Sequence, residues 1–407
     1  MATIVGTPGD DHIAGTAKAD VIVGGGGTDR IGGKSGDDII CGGPSGVRVI
    51  IEPAENVPQS LFGGPGNDVI VGGPQGDALS DPRGEDVLLG RGGGDLLSTD
   101  SFRRGDDDVL RGGPGPDQLT SSRGDDELYG GKGEDLLEDW LGNNVLRGGG
   151  GNDTLGSGSG NDAIYGGPGV DRGEYALVLD SSIPASNCPD VMVDLSRGVA
   201  SGTHFGADTL TGVENIKSGS GEDVLIGDSR NNTFYAGKPC HPTEEAAQRD
   251  SVAGGDGWDR ILFDSHLWDG NTPLGPVAVD LAAGTAVQPN SGPSDVVVTV
   301  VLDSIENVTG TRGRDTIVGD DRPNRLSGGL RGCCEGDVIR GRGGNDYLVG
   351  SEGSDTIYGD EGADKLRGRW GNDRLDGGLD VNIVDGGRGE DSCQNPDRYN
   401  GALNCEM

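Results

Sequence analysis

A nine-residue period constrains this chain more than any other feature. Gly148 to Tyr165 reads GGGGNDTLG and then SGSGNDAIY, and most of the remaining chain copies or interrupts that unit. Each unit holds a glycine-rich turn, an Asp at position six and one large aliphatic at position eight. Asp153 and Leu155 fill those places in the first unit, Asp162 and Ile164 in the second. Alternate residues of a strand face opposite sides, so of positions seven to nine only the eighth can point inward. One aliphatic per unit suffices if each coil buries its face against the next. The first six residues must reverse the chain, and glycine enters positive φ without a Cβ penalty. The expected fold is all-β: a parallel β-roll (β-solenoid) of nine-residue glycine/aspartate repeats, with wider degenerate coils in the middle.

Composition alone would describe a disordered acidic polymer. The 407 residues include 81 glycines, carry a net charge of −36 and are only 32% hydrophobic, too little apolar area to offset chain entropy in an ordinary globule. Strict phasing argues against that description. The charge excludes direct binding to nucleic acid or an anionic membrane and makes cations the natural partners. The longest aliphatic runs, such as Val296 to Leu302, are strand-sized, so no transmembrane segment is expected. No basic region followed by an apolar core is visible in the opening MATIVGTPGDDHIAG.

Counting from Gly6, position six is Asp11, Asp20, Asp29 and Asp38, with Ile13, Ile22, Ile31 and Ile40 at position eight. A degenerate unit at 42–50 places Val47 where Asp belongs, and 51–62 reads as a loop with two prolines. From Gly63 the phase gives Asp68, Asp77, Asp86 and Asp95. After a four-residue insertion at 99–102 it gives Asp108, Asp117, Asp126, Asp135, Asn144, Asp153, Asp162 and Asp171. Residues 1–174 are therefore one β-roll. From Tyr175 the style changes to VMVDLSRGVASG and DTLTGVENI, and a second version, VAVDLAAGTA with DSIENVTG, follows Phe263. Asp223 and Asp315 correspond, as do Asn232 and Asn324, which indicates a duplication across 175–309. Asp259 holds position six within it, and 236–253 reads as a loop or short helix. Regular phase returns over 310–394 with Asp315, an insertion at 328–331, then Asp337, Asp346, Asp355, Asp364, Asp373, Asn382 and Asp391. Residues 395–407 form a cap.

An isolated Asp of this kind would be a solvated turn residue. Stacked coils instead bring successive carboxylates into a column that repels itself unless neutralised. Ca²⁺ takes six to eight oxygens from carboxylates and backbone carbonyls, and glycine-rich turns leave carbonyls free. Multiple Ca²⁺ ions are the expected cofactors, with the position-six acids as ligands; Asn144, Asn232, Asn324 and Asn382 supply an oxygen without charge. Residue 47 should mark an incomplete site.

GGPGNDVIV at Gly63, GRGGNDYLV at Gly341 and GSEGSDTIY at Gly350, with VDL followed by DTLTGVENI, make the chain resemble the RTX, or haemolysin-type, calcium-binding repeat proteins over nearly its whole length. The resemblance implies Ca²⁺ between adjacent turns, a disordered metal-free state and life outside the cell. Seven cysteines depart from the family's usual scarcity and favour a Sec-like route into an oxidising compartment.

Cys393 and Cys405 are expected to lock the cap as a disulfide. Cys188 and Cys240 are candidates to pair, Cys333 and Cys334 are adjacent, and Cys41 faces outward. No C-x-x-C pair or His–Cys cluster favours zinc. Neither H-E-x-x-H nor G-x-S-x-G occurs, so no enzyme is expected. The outward positions are mixed, with His12, Val21 and Arg30 in one row and Ser80, Leu89 and Ser98 in another, which disfavours ice binding. The leading expectation is a secreted or cell-surface calcium-binding structural protein. The alternatives are an adhesive or surface-layer module that self-associates or holds cell-surface polysaccharide, and a polysaccharide-modifying enzyme acting through 175–308.

Overall fold

The computed structural model describes residues 2–16, 18, 20–25, 30–32, 39–41, 48–50, 60–63, 66–81, 83–99, 106–175, 190–219, 221–235, 248–263, 275–289, 297–329, 336–394 and 402–405. Strands are the only regular elements among them, mostly three to six residues long and paired in parallel. No helix among the described residues is long and apolar enough to cross a membrane. The chain forms two compact units, 1–182 with 197–215, and 183–196 with 216–407.

In the first unit consecutive repeats alternate between two sheets, so one coil is two repeats. Leu128 pairs with Leu110 on one side and Leu146 on the other, whereas Leu137 pairs with Leu119 and Leu155 in the second sheet. The usual step within a sheet is thus 18 residues. It widens to 22 between Val87 and Val109, where the insertion lies. Position eight builds the core: Ile22, Ile31, Ile40, Leu61 and the position-eight leucines from Leu88 to Leu155 are fully buried. The outward rows follow the same two-repeat step. His12 aligns with Arg30 but Val21 with Ile39, and Ser80 aligns with Ser98 while Leu89 lies in the other sheet. The single rows read from the sequence are corrected accordingly. The new rows place Arg111 4.4 Å from the Tyr129 ring centroid and Arg147 3.9 Å from that of Tyr165.

The loop expected over 51–62 ends sooner. Ser60–Phe62 is a strand pairing with Ile39–Cys41 and Ala78–Ser80, because Leu61 supplies the inward aliphatic just before Gly63 opens the next turn. Residues 51–59, and Val47, lie outside the described residues. The insertions also sit later than the sequence indicates. Thr99 and Gly328 keep the position-one place, their N–H groups donating to Thr120 and Val349 carbonyls, and the extra residues follow them.

In the second unit one aliphatic column runs Phe234, Ile261, Val308, Leu326, Leu348, Leu366 and Val384, and another Val279, Ile317, Ile339, Ile357, Leu375 and Cys393. The widened coils contain antiparallel pairs. Val199–Gly202 pairs with Gly206–Thr211 in the first unit, and Thr285–Pro289 with Val297–Asp303 in the second. Gly198 and Gly284 close the equivalent V-D-L turns at φ 65 and 66°, a left-handed conformation that favours glycine. Gln248–Ala253 is a strand rather than loop or helix, its Val252 buried between Leu225 and Leu302. At the end a disulfide joins Cys393 and Cys405, with Cα atoms 5.8 Å apart. Cys188, Cys240, Cys333, Cys334 and the side chain of Cys41 lie outside the described residues.

Because each coil touches only its neighbours, a core truncation acts locally but without relief from elsewhere. Leu146→Ala should lower stability by about 2–5 kcal/mol. Denaturant unfolding of the calcium-loaded protein checks this; a loss far below that range would deny Leu146 its place in the core.

Candidate metal centres

The turns that link the strands carry the position-six side chains, and the structure stacks them in columns at the two-repeat step. In the first unit the backbone N–H of Asp77 donates to Oδ1 of Asp95 at 2.8 Å, Asp95 to Asp117, Asp117 to Asp135, Asp135 to Asp153 and Asp153 to Asp171, all at 2.8–2.9 Å. The second column runs Asp68, Asp86, Asp108, Asp126, Asn144 and Asp162 by the same bond. In the second unit Asp315, Asp337, Asp355, Asp373 and Asp391 form one such series, and Asp346, Asp364 and Asn382 belong to another. From the second member of each series onward, one side-chain oxygen is therefore occupied by the preceding coil.

The other oxygen turns back on its own turn. In some coils it caps the position-two N–H: Gly73 donates to Asp77 Oδ2 at 2.5 Å, Thr311 to Asp315 at 2.6 Å and Ser351 to Asp355 at 2.7 Å. In Asp95, Asp117, Asp135, Asp153, Asp171, Asp259, Asp346, Asp364, Asp373 and Asp391 it is buried and has no hydrogen-bond partner among the described residues. Each of these ten faces a position-one glycine. A Cβ on Gly130 would lie within 3.0 Å of both Asp135 Oδ2 and the Gly148 carbonyl oxygen of the next coil, and Gly341, Gly359 and Gly368 repeat this arrangement. The glycine is required because its missing side chain leaves room for converging oxygens. These are acceptors only, so a proton or a cation must complete them. The donor set fits Ca²⁺, which prefers carboxylate and carbonyl oxygens.

Of the sequence-predicted site residues, those from Asp68 to Asp391 are at most 4% exposed, which rules out solvated turn residues. Asp20 is also buried, Asp11 is half-buried, and Asp29 and Asp38 lie outside the described residues. Asp223 and Asp259 join columns through acids the sequence reading missed. Asp223 donates to Asp250, Asp259 to Glu306, Asp162 to Asp208 and Asp171 to Glu214, at 2.8–3.0 Å. Asp208 and Asp250 could have been found: each precedes an aliphatic by two residues, as in D-T-L and D-S-V, without the glycine pair. Glu214 and Glu306 substitute a longer carboxylate in E-N-I and E-N-V and so fall outside the aspartate pattern.

Two further acids sit at position one, where glycine is the rule. Oxygens of Asp68, Asp81 and Asp86 approach within 4.8 Å of one another, all three side chains buried. Asp139 is fully buried, and burial, followed by the charges of Asp126 and Asp162, pushes its carboxyl far above the ordinary range. The same column carries Thr99, Ser121 and Ser157 at position one, and Ser121 Oγ donates to Asp126 Oδ2 at 2.6 Å. The two edges of this unit therefore differ: one is lined by glycine, the other from Asp81 onward by carboxylates and hydroxyls.

Burial pushes the carboxyls of Asp86, Asp95, Asp135, Asp208, Asp337, Asp346 and Asp373 up to about 7 and that of Asp108 to about 8, against the opposing pull of the backbone N–H from the preceding coil. Like charges in adjacent coils add to the rise for Asp95, Asp135 and Asp373.

The RTX calcium-binding nonapeptide repeat, in its four-copy form, matches residues 5–40, 62–97, 104–137, 141–172, 218–238, 306–330, 336–366 and 358–393, more than half of the chain. No curated protein matches the chain.

The raised carboxyls fix a pH dependence. Their folded-state values of about 6 to 8 exceed the unfolded value near 3.9, so the metal-free fold binds more protons than the unfolded chain. Its stability is then fully present below about pH 4 and is lost progressively as pH rises toward about 8. In excess chelator, acidification from about pH 8 to pH 5 should raise the melting temperature followed by circular dichroism; a fall over that interval would contradict the burial of these groups.

Proposed function

We propose that this chain, which belongs to the RTX calcium-binding nonapeptide repeat family, is a secreted or cell-surface structural protein whose solenoid orders when Ca²⁺ enters its aspartate columns. The observation that carries this reading is the set of ten buried carboxylate oxygens without hydrogen-bond partners, each aimed at a position-one glycine. The proposed ligands are the position-six acids of both units, joined by Asp81 and Asp139 on the hydroxyl-lined edge and by Asp208, Glu214, Asp250 and Glu306 in the widened coils. Backbone carbonyls of position-one glycines complete the donor set.

The physical mechanism is coupled folding. Without metal, ionised carboxylates in adjacent coils repel one another and remain desolvated. Bound Ca²⁺ replaces the missing solvation and bridges neighbouring coils, so binding free energy becomes folding free energy and grows by mass action with free metal. One feature supports an extracellular setting: the Cys393–Cys405 disulfide, a bond that persists in oxidising compartments.

Circular dichroism at about pH 7.5 should gain strand signal, saturably, as calcium is added to chelator-treated protein. Asp135→Asn with Asp153→Asn, which keep the shape but remove two adjacent charges, should raise the calcium midpoint about tenfold, equivalent to about 1.4 kcal/mol. Identical spectra in chelator and in calcium at about 10 mM, far above the 10⁻³ M reached by the weakest extracellular modules, would refute calcium-coupled ordering.

A further inference from the structure

The chain carries 68 acidic residues, yet the second unit holds a cavity of about 520 Å³ lined by no carboxylate among the described residues. It opens on the outer face of the sheet formed by Thr233–Tyr235, Arg260–Leu262, Asn307–Thr309, Arg325–Ser327 and Tyr347–Val349. Strand register sets Thr233, Arg260, Asn307, Arg325 and Tyr347 side by side in one row across that face. Trp258, 51% exposed, stands at the edge, its backbone N–H donating to Asn231 Oδ1 at 3.0 Å. The rest of the lining is Asn, Ser and Thr with a single Val.

Two cations in this row lack an acidic partner among the described residues. The Arg260 guanidinium donates to Thr309 Oγ1 at 2.7 Å, and the Arg325 guanidinium lies 5.0 Å from the Tyr347 ring centroid. Neither forms an ion pair among the described residues. Nearby acids are engaged elsewhere: Asp228 by Arg230 at 2.7 Å, and Asp320 and Glu306 by Arg322 at 2.8 and 3.0 Å. Burial and the Arg325 charge pull the Arg260 guanidinium below its ordinary range, as expected for two like charges without an anion between them.

We propose that this groove binds an acidic saccharide, its anion a carboxylate or a sulfate, with Trp258 against the sugar ring and Arg260 and Arg325 on the anions. A guanidinium fork matches planar oxyanions in a bidentate manner. An exposed indole offers an apolar face with one polar edge. Amides and hydroxyls both donate and accept, as sugar hydroxyls require. Arg260 and Arg325 are two strands apart, roughly 10 Å at a spacing of ~4.8 Å, so a chain lying across the strands meets them in succession. The protein's net negative charge opposes such a ligand, but at a Debye length of about 8 Å the two guanidiniums in contact outweigh distant carboxylates.

The test uses the full calcium-loaded chain, with calorimetry and tryptophan fluorescence. The probes are a short oligogalacturonate, a sulfated oligosaccharide of similar length, a neutral oligosaccharide and a single-stranded oligonucleotide. Saturable binding of one or both acidic saccharides, weakened about tenfold by Arg325→Gln and by Trp258→Ala, is expected; which of the two binds identifies the anion. Both side chains are on the surface, and unchanged circular dichroism of the variants separates lost contact from lost fold. Absent saccharide binding, equal binding of the neutral sugar, tighter binding of the oligonucleotide or indifference to both substitutions would overturn the assignment.

Discussion

Everything in this structure depends on burying carboxylates next to one another. A position-six Asp gives one oxygen to the backbone N–H of the preceding coil, which fixes the spacing of the coils. The other oxygen is left inside, against a glycine, with a carbonyl oxygen from the next coil beside it. Hydrogen bonding from the chain covers only half of the carboxylate, and the desolvation of the remainder is what drives the carboxyls toward neutral pH values. A single such group would cost several kcal/mol if charged and unpaired. Repeated along two edges, that cost falls on a fold whose core is a thin aliphatic stripe, and a proton or a cation is what can relieve it.

That constraint explains why so much was legible in the sequence. Most coils combine glycine at position one, Asp at position six and an aliphatic at position eight, so Gly130, Asp135 and Leu137 announce a coil and its inward carboxylate. Where the constraint relaxes, legibility fails. Ser60–Phe62 lacks its preceding turn signature, yet Leu61 fills the core; Asp250 lacks a glycine pair, yet its carboxylate continues a column. Glu214 and Glu306 reach the same N–H group with one more methylene. The alternation of repeats between two sheets was also hidden, because a nine-residue period does not reveal that neighbours in space are 18 residues apart.

The exceptions to glycine at position one are as informative as the rule. Asp81 and Asp139 place extra carboxylates within one column, and Thr99, Ser121 and Ser157 place hydroxyls there. The two edges of the first unit thus present different donor sets to a cation, one of carboxylate and carbonyl, the other with added side-chain oxygens. In the second unit the outer face departs in the opposite sense. Positive and amide side chains gather around Trp258, and local acids are held by Arg230 and Arg322. A scaffold that devotes its acids to its own turns leaves its faces open to other chemistry.

The most direct measurement is anomalous diffraction from crystals grown in calcium. Calcium-bridged coils require peaks inside both turn columns, between successive position-six carboxylates and beside glycines such as Gly130 and Gly368. Peaks confined to exposed acids, or none in the columns of a well-ordered solenoid, would contradict the central role of buried metal.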